Sequence, residues 1–126
     1  MRYQDYSGRT LAFLGDAVWS YVVRKHLLLK GEGKGKRLQK LSIEYVSAKA
    51  QASFYDALHE ANFFTEEEEE TFKRGRNDNT GTYPKNTPVQ IYRKSTGFEA
   101  LIGMLDLQEN ETRINEIMEE VCKLKG

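Results

Sequence analysis

Apolar positions recur along this chain at helical spacing almost from end to end. Leu11, Leu14, Val18, Tyr21 and Val22 fall three or four apart, with Leu28 and Leu29 beyond them, and Ser7 stands where an N-cap belongs. The stretch "GEGKGK" at 31–36 carries three glycines in five residues and predicts the loop that ends this first helix. A second helical region covers 37–62. Ser42 is expected to start its longer part after a short opening turn, with Val46, Ala50, Phe54, Ala57 and Leu58 as the apolar stripe. Ala48, Ala50, Ala52 and Ser53 would permit close packing there. Thr65 and Glu68 match a capping box and predict a third helix, with acidic residues in its first turns and Lys73, Arg74 and Arg76 at its end, as the helix dipole favours. Residues 78–88 read as a loop rich in Gly, Asn, Thr and Pro. Pro88 suits the first turn of a fourth pattern over 89–107. A last helix, capped by Asn110, would bury Ile114, Ile117, Met118, Val121 and Leu124. No segment alternates with the period of a strand, so the fold class is all-α.

Length and composition narrow the class. A chain of 126 residues suits one domain over 1–126 with one core. With 39% hydrophobic and 30% charged residues, it has a globular rather than a disordered composition. No apolar run approaches the ~20 residues that span a bilayer, and "MRYQDYSGRT" has no signal-peptide core. Cys122 is the single cysteine, which excludes an internal disulfide or a cysteine-rich zinc site. A cytoplasmic setting without membrane association is expected. The formal net charge is zero, so any affinity for nucleic acid must come from local clusters.

Two carboxylates stand out. In "LAFLGDAVWSYVVRK", residues 11–25, Asp16 follows Gly15 inside a strongly apolar helix. In "STGFEALIGML", Glu99 lies among Phe98, Ala100, Leu101 and Ile102, between Gly97 and Gly103. A charge on a largely buried helix is costly unless paired or bound to a metal. Small residues let helices approach to ~8 Å, so facing carboxylates could share one divalent ion such as Mg²⁺, with Gly15 admitting a backbone or a substrate. The alternative is an ordinary solvent-facing, capping or ion-paired acid, with Arg24 or Arg93 as partner. The basic residues form clusters: Lys34, Lys36, Arg37 and Lys40; then Lys73, Arg74 and Arg76, with Lys85 beyond; then Arg93-Lys94. Such groups suit phosphate contacts, although each cluster alone also fits a solvated face, and 73–76 fits the helix dipole. The acidic run 66–70 is expected to be a solvated helix start. His26 and His59 are too isolated for a zinc site, and no Ser-His-Asp context, P-loop or dinucleotide fingerprint is present. Phe13, Trp19, Tyr21, Phe54 and Phe98 suit a core or dimer interface better than a base-stacking platform.

These residues carry a resemblance. "LAFLGDAVWSYVVR" resembles the signature helix of the ribonuclease III family, and "FEALIGML" resembles that family's second catalytic helix. "FFTEEEEETFKRGRN", "PKNT" and "YRKSTGFEALIG" are similar to its Mini-ribonuclease III branch, which consists of the catalytic domain without a double-stranded-RNA-binding domain. The resemblance runs from Thr10 to Leu107. It implies an all-helical, homodimeric endonuclease domain that pairs partly through the signature helix; Phe13, Leu14, Trp19 and Tyr21 encircle much of that helix. It implies Mg²⁺-dependent hydrolysis of double-stranded RNA to 5′-phosphate and 3′-hydroxyl ends, with Mn²⁺ as a possible substitute. The branch's substrate is precursor large-subunit ribosomal RNA, on which a ribosomal protein could assist. By the resemblance Asp16 and Glu99 are the catalytic and metal-binding residues. Larger members add a Glu four before the Asp and an Asp three before the Glu, where this chain has Ala12 and Thr96. Those spacings put each pair on one helix face, so two of four carboxylates remain. Without an RNA-binding domain, affinity would fall to Lys34, Lys36, Arg37, Lys73, Arg74, Arg76, Asn77, Lys85 and Asn86. The competing readings are a catalytically inactive ribonuclease III-like RNA-binding or ribosome-associated structural protein, and a helical protein-interaction domain. Retention of both Asp16 and Glu99 beside glycines weighs against them.

Overall fold

The computed structural model describes residues 2–31, 33–78 and 83–126. A 3₁₀ turn at Tyr3–Asp5 leads into six helices: α1 (Gly8–Leu29), α2 (Lys36–Val46), α3 (Ala48–Glu60), α4 (Glu66–Asn77), α5 (Val89–Leu107) and α6 (Glu111–Lys125). No strand occurs among the described residues. α5 is the central element. Phe98 and the run Ala100–Leu105 are all buried, because α1, α3 and α4 cover it on different sides. A helix that is apolar nearly all round can be stable only in such a position.

The caps explain where the helices begin. Ser7 accepts a hydrogen bond from the Thr10 amide. Thr65 and Glu68 form the reciprocal capping box, and Asn110 accepts from the Arg113 amide. Pro88 is the N-cap of α5 rather than a first-turn residue. The break in the second helical region differs from expectation. It falls at Ser47, which ends α2 and caps α3 by accepting from the Ala50 amide. Ser42 lies inside α2, and its hydroxyl donates to the Gln39 carbonyl at 2.8 Å. The bend at Ser47 lets α3 turn Phe54, Tyr55 and Leu58 into the core.

Trp19 lies wholly in the core. It meets Phe98 edge-on at 5.0 Å, and its indole N–H donates to the Tyr45 carbonyl at 2.9 Å. It therefore contributes nothing to an exposed interface. Leu124, expected inside, is exposed, while Ile114, Ile117, Met118 and Val121 are buried.

The acidic run also departs from a simple solvated face. Glu68 is 3% exposed and forms an ion pair with Arg113, whose guanidinium also donates to the Phe63 carbonyl. Glu69 accepts from the Tyr55 hydroxyl and contacts His59. Glu67 accepts from Tyr3 and Gln108. Three of these glutamates tie α4 to α3, α6 and the N-terminal turn.

Candidate active site

The site is made where α1 crosses α5. A Cβ on Gly15 would stand 1.7 Å from the Glu99 carbonyl oxygen, and one on Gly103 would stand 2.0 Å from the Leu11 carbonyl oxygen. Neither space exists, so both positions exclude any side chain. The glycines let the two backbones touch, and Gly15 thereby serves an approach of backbone to backbone. This contact places the residue after Gly15 against the residue four before Gly103: the carboxylates of Asp16 and Glu99 come together.

Their surroundings are unequal. Asp16 is exposed, whereas Glu99 is largely enclosed. Burial, then the adjacent Asp16 carboxylate, pushes the Glu99 carboxyl up to about 8, against a weaker opposing effect of Gln51. Gln51 lies on α3 and is 1% exposed. Its amide donates to the Val46 carbonyl at 3.1 Å and reaches Glu99 Oε2 at 3.4 Å. Its own carbonyl oxygen is buried without a partner among the described residues. Arg93, one of the expected cationic partners, does not neutralise Glu99: its guanidinium donates to the Tyr83 hydroxyl.

This donor set suits a hard divalent cation. Two carboxylates crowd together at the edge of solvent, one of them raised in pKa by burial and by its neighbour's charge. Mg²⁺ is held in many proteins by one or two carboxylates and keeps several waters. The other two positions supply no acid. Ala12 is buried in the α1–α5 contact, and the Thr96 hydroxyl donates back to the Tyr92 carbonyl at 3.1 Å. Among the described residues no group of three or more His, Cys, Asp and Glu side chains converges on one point.

The expected basic residues fall on several elements. Lys34, Lys36 and Arg37 are exposed at the start of α2, and Lys85 and Asn86 are placed in the turn before α5. Lys73 and Asn77 lie on α4, with Lys73 exposed. Arg74 is committed elsewhere, since its guanidinium donates to the Tyr6 carbonyl and secures the N-terminal segment. Arg76 lies over the Phe72 ring at 5.7 Å and donates to Asn77. Part of the 78–88 loop, residues 79–82, lies outside the described residues. Lys94 is paired with Asp56. One grouping was not legible in the chain: Arg9, Arg76 and Arg93 line a single notch together with Thr96, one helical turn before Glu99. Residues so far apart in sequence carry no local signal of such convergence.

Residues 9–110 match the Ribonuclease III domain. The chain belongs to the ribonuclease III family. Relatives within it are similar over nearly their whole length. A Mini-ribonuclease 3 of Streptococcus pneumoniae is 48% identical over 112 residues, covering 89% of this chain and 88% of that protein. One of Enterococcus faecalis is 40% identical over 124 residues, covering 98% and 94%. One of Staphylococcus aureus is 45% identical over 115 residues, covering 91% and 86%. A crystal structure of a protein from Fusobacterium nucleatum superposes with a TM-score of 0.84 at 36% identity, covering 97% of this chain and 96% of that one. The all-helical architecture is thus the ribonuclease III fold, and ribonuclease III enzymes as a family depend on divalent metal ions.

Proposed function

We propose that this chain is a Mg²⁺-dependent endoribonuclease that cleaves double-stranded RNA, working as a homodimer. Its substrate is precursor large-subunit ribosomal RNA, met in the cytoplasm, where a ribosomal protein bound to the RNA could present the cleavage site. The observation that carries the reading is the carboxylate pair at the α1–α5 crossing, with Glu99 raised to about 8 beside Asp16. A fold with no use for a cation would gain by replacing one of these acids.

Asp16 and Glu99 would hold the ion. When bound, it would supply Lewis-acid activation of water and stabilise charge on the phosphate. The chain's own contribution is position and protonation. Glu99 must give up its proton to become a ligand, so hydroxide and the divalent ion favour the same state of the site. Asp16, at the open edge, would be the first of the two to meet an arriving phosphate. Hydrolysis adds water across the bond between phosphorus and the 3′-oxygen, leaving a 5′-phosphate on one fragment and a 3′-hydroxyl on the other. Lys34, Lys36, Arg37, Lys73, Arg76, Asn77, Lys85 and Asn86 would contact phosphates and 2′-hydroxyls of an A-form duplex, which is recognised by shape. Arg74 would act indirectly, by holding the N-terminal segment against α4.

The test compares wild type with Asp16→Asn and Glu99→Gln on a duplex RNA over a Mg²⁺ titration. Each substitution keeps side-chain shape and removes an anionic oxygen. Each should abolish cleavage while helical content and duplex binding persist, and the double variant should be little worse than either single one. Mn²⁺ should replace Mg²⁺ in supporting the wild type. Near-normal cleavage by either variant at limiting Mg²⁺ removes that residue from the site.

A further inference from the structure

Among the described residues, four polar side chains are buried in the core: Gln51, Glu68, Thr71 and Ser95. Three have the partners that burial demands. Glu68 has Arg113 and the Thr65 amide, Thr71 donates to the Met104 sulfur, and Ser95 donates to the Tyr92 carbonyl. Gln51 alone is half satisfied, with Oε1 unpaired among the described residues. An unpaired buried amide oxygen costs stability, and a methionine or leucine of similar volume would avoid that cost. What the fold gains from a glutamine here is the bond of its Nε2 to the Val46 carbonyl, and the same nitrogen also reaches Glu99.

We infer that Gln51 is a positioning residue that aims the Glu99 carboxylate for the divalent ion; the inference rests on the proposed function. Its Nε2 stands between two acceptors, the Val46 carbonyl at 3.1 Å and Glu99 Oε2 at 3.4 Å. The Val46 carbonyl fixes the orientation of the amide, since the flipped form would set Oε1 against an oxygen that cannot donate. The Val46 bond anchors the side chain to the Ser47 corner between α2 and α3, at the start of its own helix. From that post the second N–H faces Glu99. With two acids at the site and Ala12 and Thr96 supplying none, few groups remain to orient each ligand, which leaves this work to a neutral donor. The 3.4 Å separation is long for a hydrogen bond, as such contacts often are before a site is loaded, and should tighten when Glu99 binds the ion.

The experiment uses Gln51→Met in the full chain, with Mn²⁺ as the probe. Mn²⁺ affinity is read by electron paramagnetic resonance, and stability of the metal-free protein by urea unfolding. The variant should bind Mn²⁺ about 10-fold more weakly, as loss of an outer partner of a ligand typically does. Its urea midpoint should stay close to that of wild type, because the unpaired oxygen is gone while the Val46 carbonyl loses its donor. Saturating Mg²⁺ should restore much of its duplex cleavage, which it cannot do for Asp16→Asn. Unchanged Mn²⁺ affinity overturns the inference. So does a weaker affinity accompanied by a lowered urea midpoint, which marks Gln51 as part of the scaffold. A second measurement needs no variant at Gln51: adding Mg²⁺ to ¹⁵N-labelled wild type should shift the Gln51 side-chain amide resonances, and resonances that stay fixed at saturation also overturn it. Wild type that binds neither Mn²⁺ nor Mg²⁺ overturns the proposed function itself.

Discussion

Burial and the neighbouring Asp16 charge hold the Glu99 carboxyl well above the usual carboxylate range, raising it from an ordinary 4.5 to about 8. In the metal-free chain the folded state therefore holds a proton that the unfolded state has released over most of that interval. Folding stability wanes wherever the native state binds the extra proton. The contribution is full below about 4.5 and is lost as pH rises toward about 8. We expect urea unfolding of the metal-free protein to show this decline, with a local slope approaching about 1.4 kcal/mol per pH unit. Glu99→Gln should flatten it. Mg²⁺ should oppose the decline at the alkaline end, since the ion and the proton compete for the same oxygens. A wild-type profile that matches the Gln variant would mean that Glu99 titrates as an ordinary exposed acid.

At the scale of elements, the crossing of α1 and α5 decides both stability and chemistry. Gly103 meets the Leu11 carbonyl and Gly15 meets the Glu99 carbonyl, so the helices are held at backbone contact along a short diagonal. Gly103→Ala adds a single methyl group with no room and must push the helices apart. The expected cost is about 3 kcal/mol or more, at the upper end of overpacking, measured as a lowered urea midpoint. Cleavage should fall by about 100-fold even where the fold survives, because a shift of ~1 Å misplaces the two carboxylates. An alanine variant with wild-type stability and activity would show that the crossing tolerates separation. α4 makes the same kind of contact with α5: a Cβ on Gly75 would meet Ala100, and one on Gly97 would meet the Phe72 ring. α5 is thus gripped on two sides, which explains why its own pattern is apolar all round.

The whole molecule leaves apolar surface that a lone chain does not cover. Phe13 is 84% exposed and Tyr21 64%, and with Ala17 and Leu28 they form one stripe along α1. The stripe borders a cleft of about 750 Å³ lined by Tyr21, Leu29, Ile114 and Met118. A two-fold interface would bury this surface. Light scattering at micromolar concentration should give twice the chain mass, and Phe13→Ser should shift the protein toward monomer; a wild-type monomer at all concentrations would refute the dimer. For the RNA-facing side, Lys73 and Arg76 should be replaced by neutral residues while Arg74 is kept, since Arg74 holds the Tyr6 carbonyl. Duplex affinity should drop alike for unrelated sequences, and its salt dependence should flatten by roughly one for each phosphate left without its cation. Unchanged binding at low and moderate salt would leave Lys73 and Arg76 as a favourable helix end only.

The parts of this protein legible in the sequence are those decided within a few residues. Caps at Ser7, Thr65 and Asn110 act three residues along the chain. The helical periods and the buried face of α6 as far as Val121 follow from spacing, though not Leu124, which is exposed, and Asp16 and Glu99 stand out because acids beside glycines are anomalous on apolar helices. Tertiary structure decided what depends on partners far away in sequence. Ser42 and Ser47 have equal capping chemistry, and only the need to turn α3 against the core selects Ser47. The glutamates of 66–70 read as solvated until Arg113, Tyr55 and Tyr3 arrive from other elements. Trp19 and Phe13 look alike as aromatic residues of one helix, yet one is enclosed by Phe98 and the other is left outside. Gln51 gives no local signal at all: a glutamine on a mixed helix is ordinary until α5 brings Glu99 to its amide. A periodic pattern specifies which face of a helix is buried, but the atoms that meet that face are set by how the helices cross, and the crossing here is decided by glycines on two helices at once.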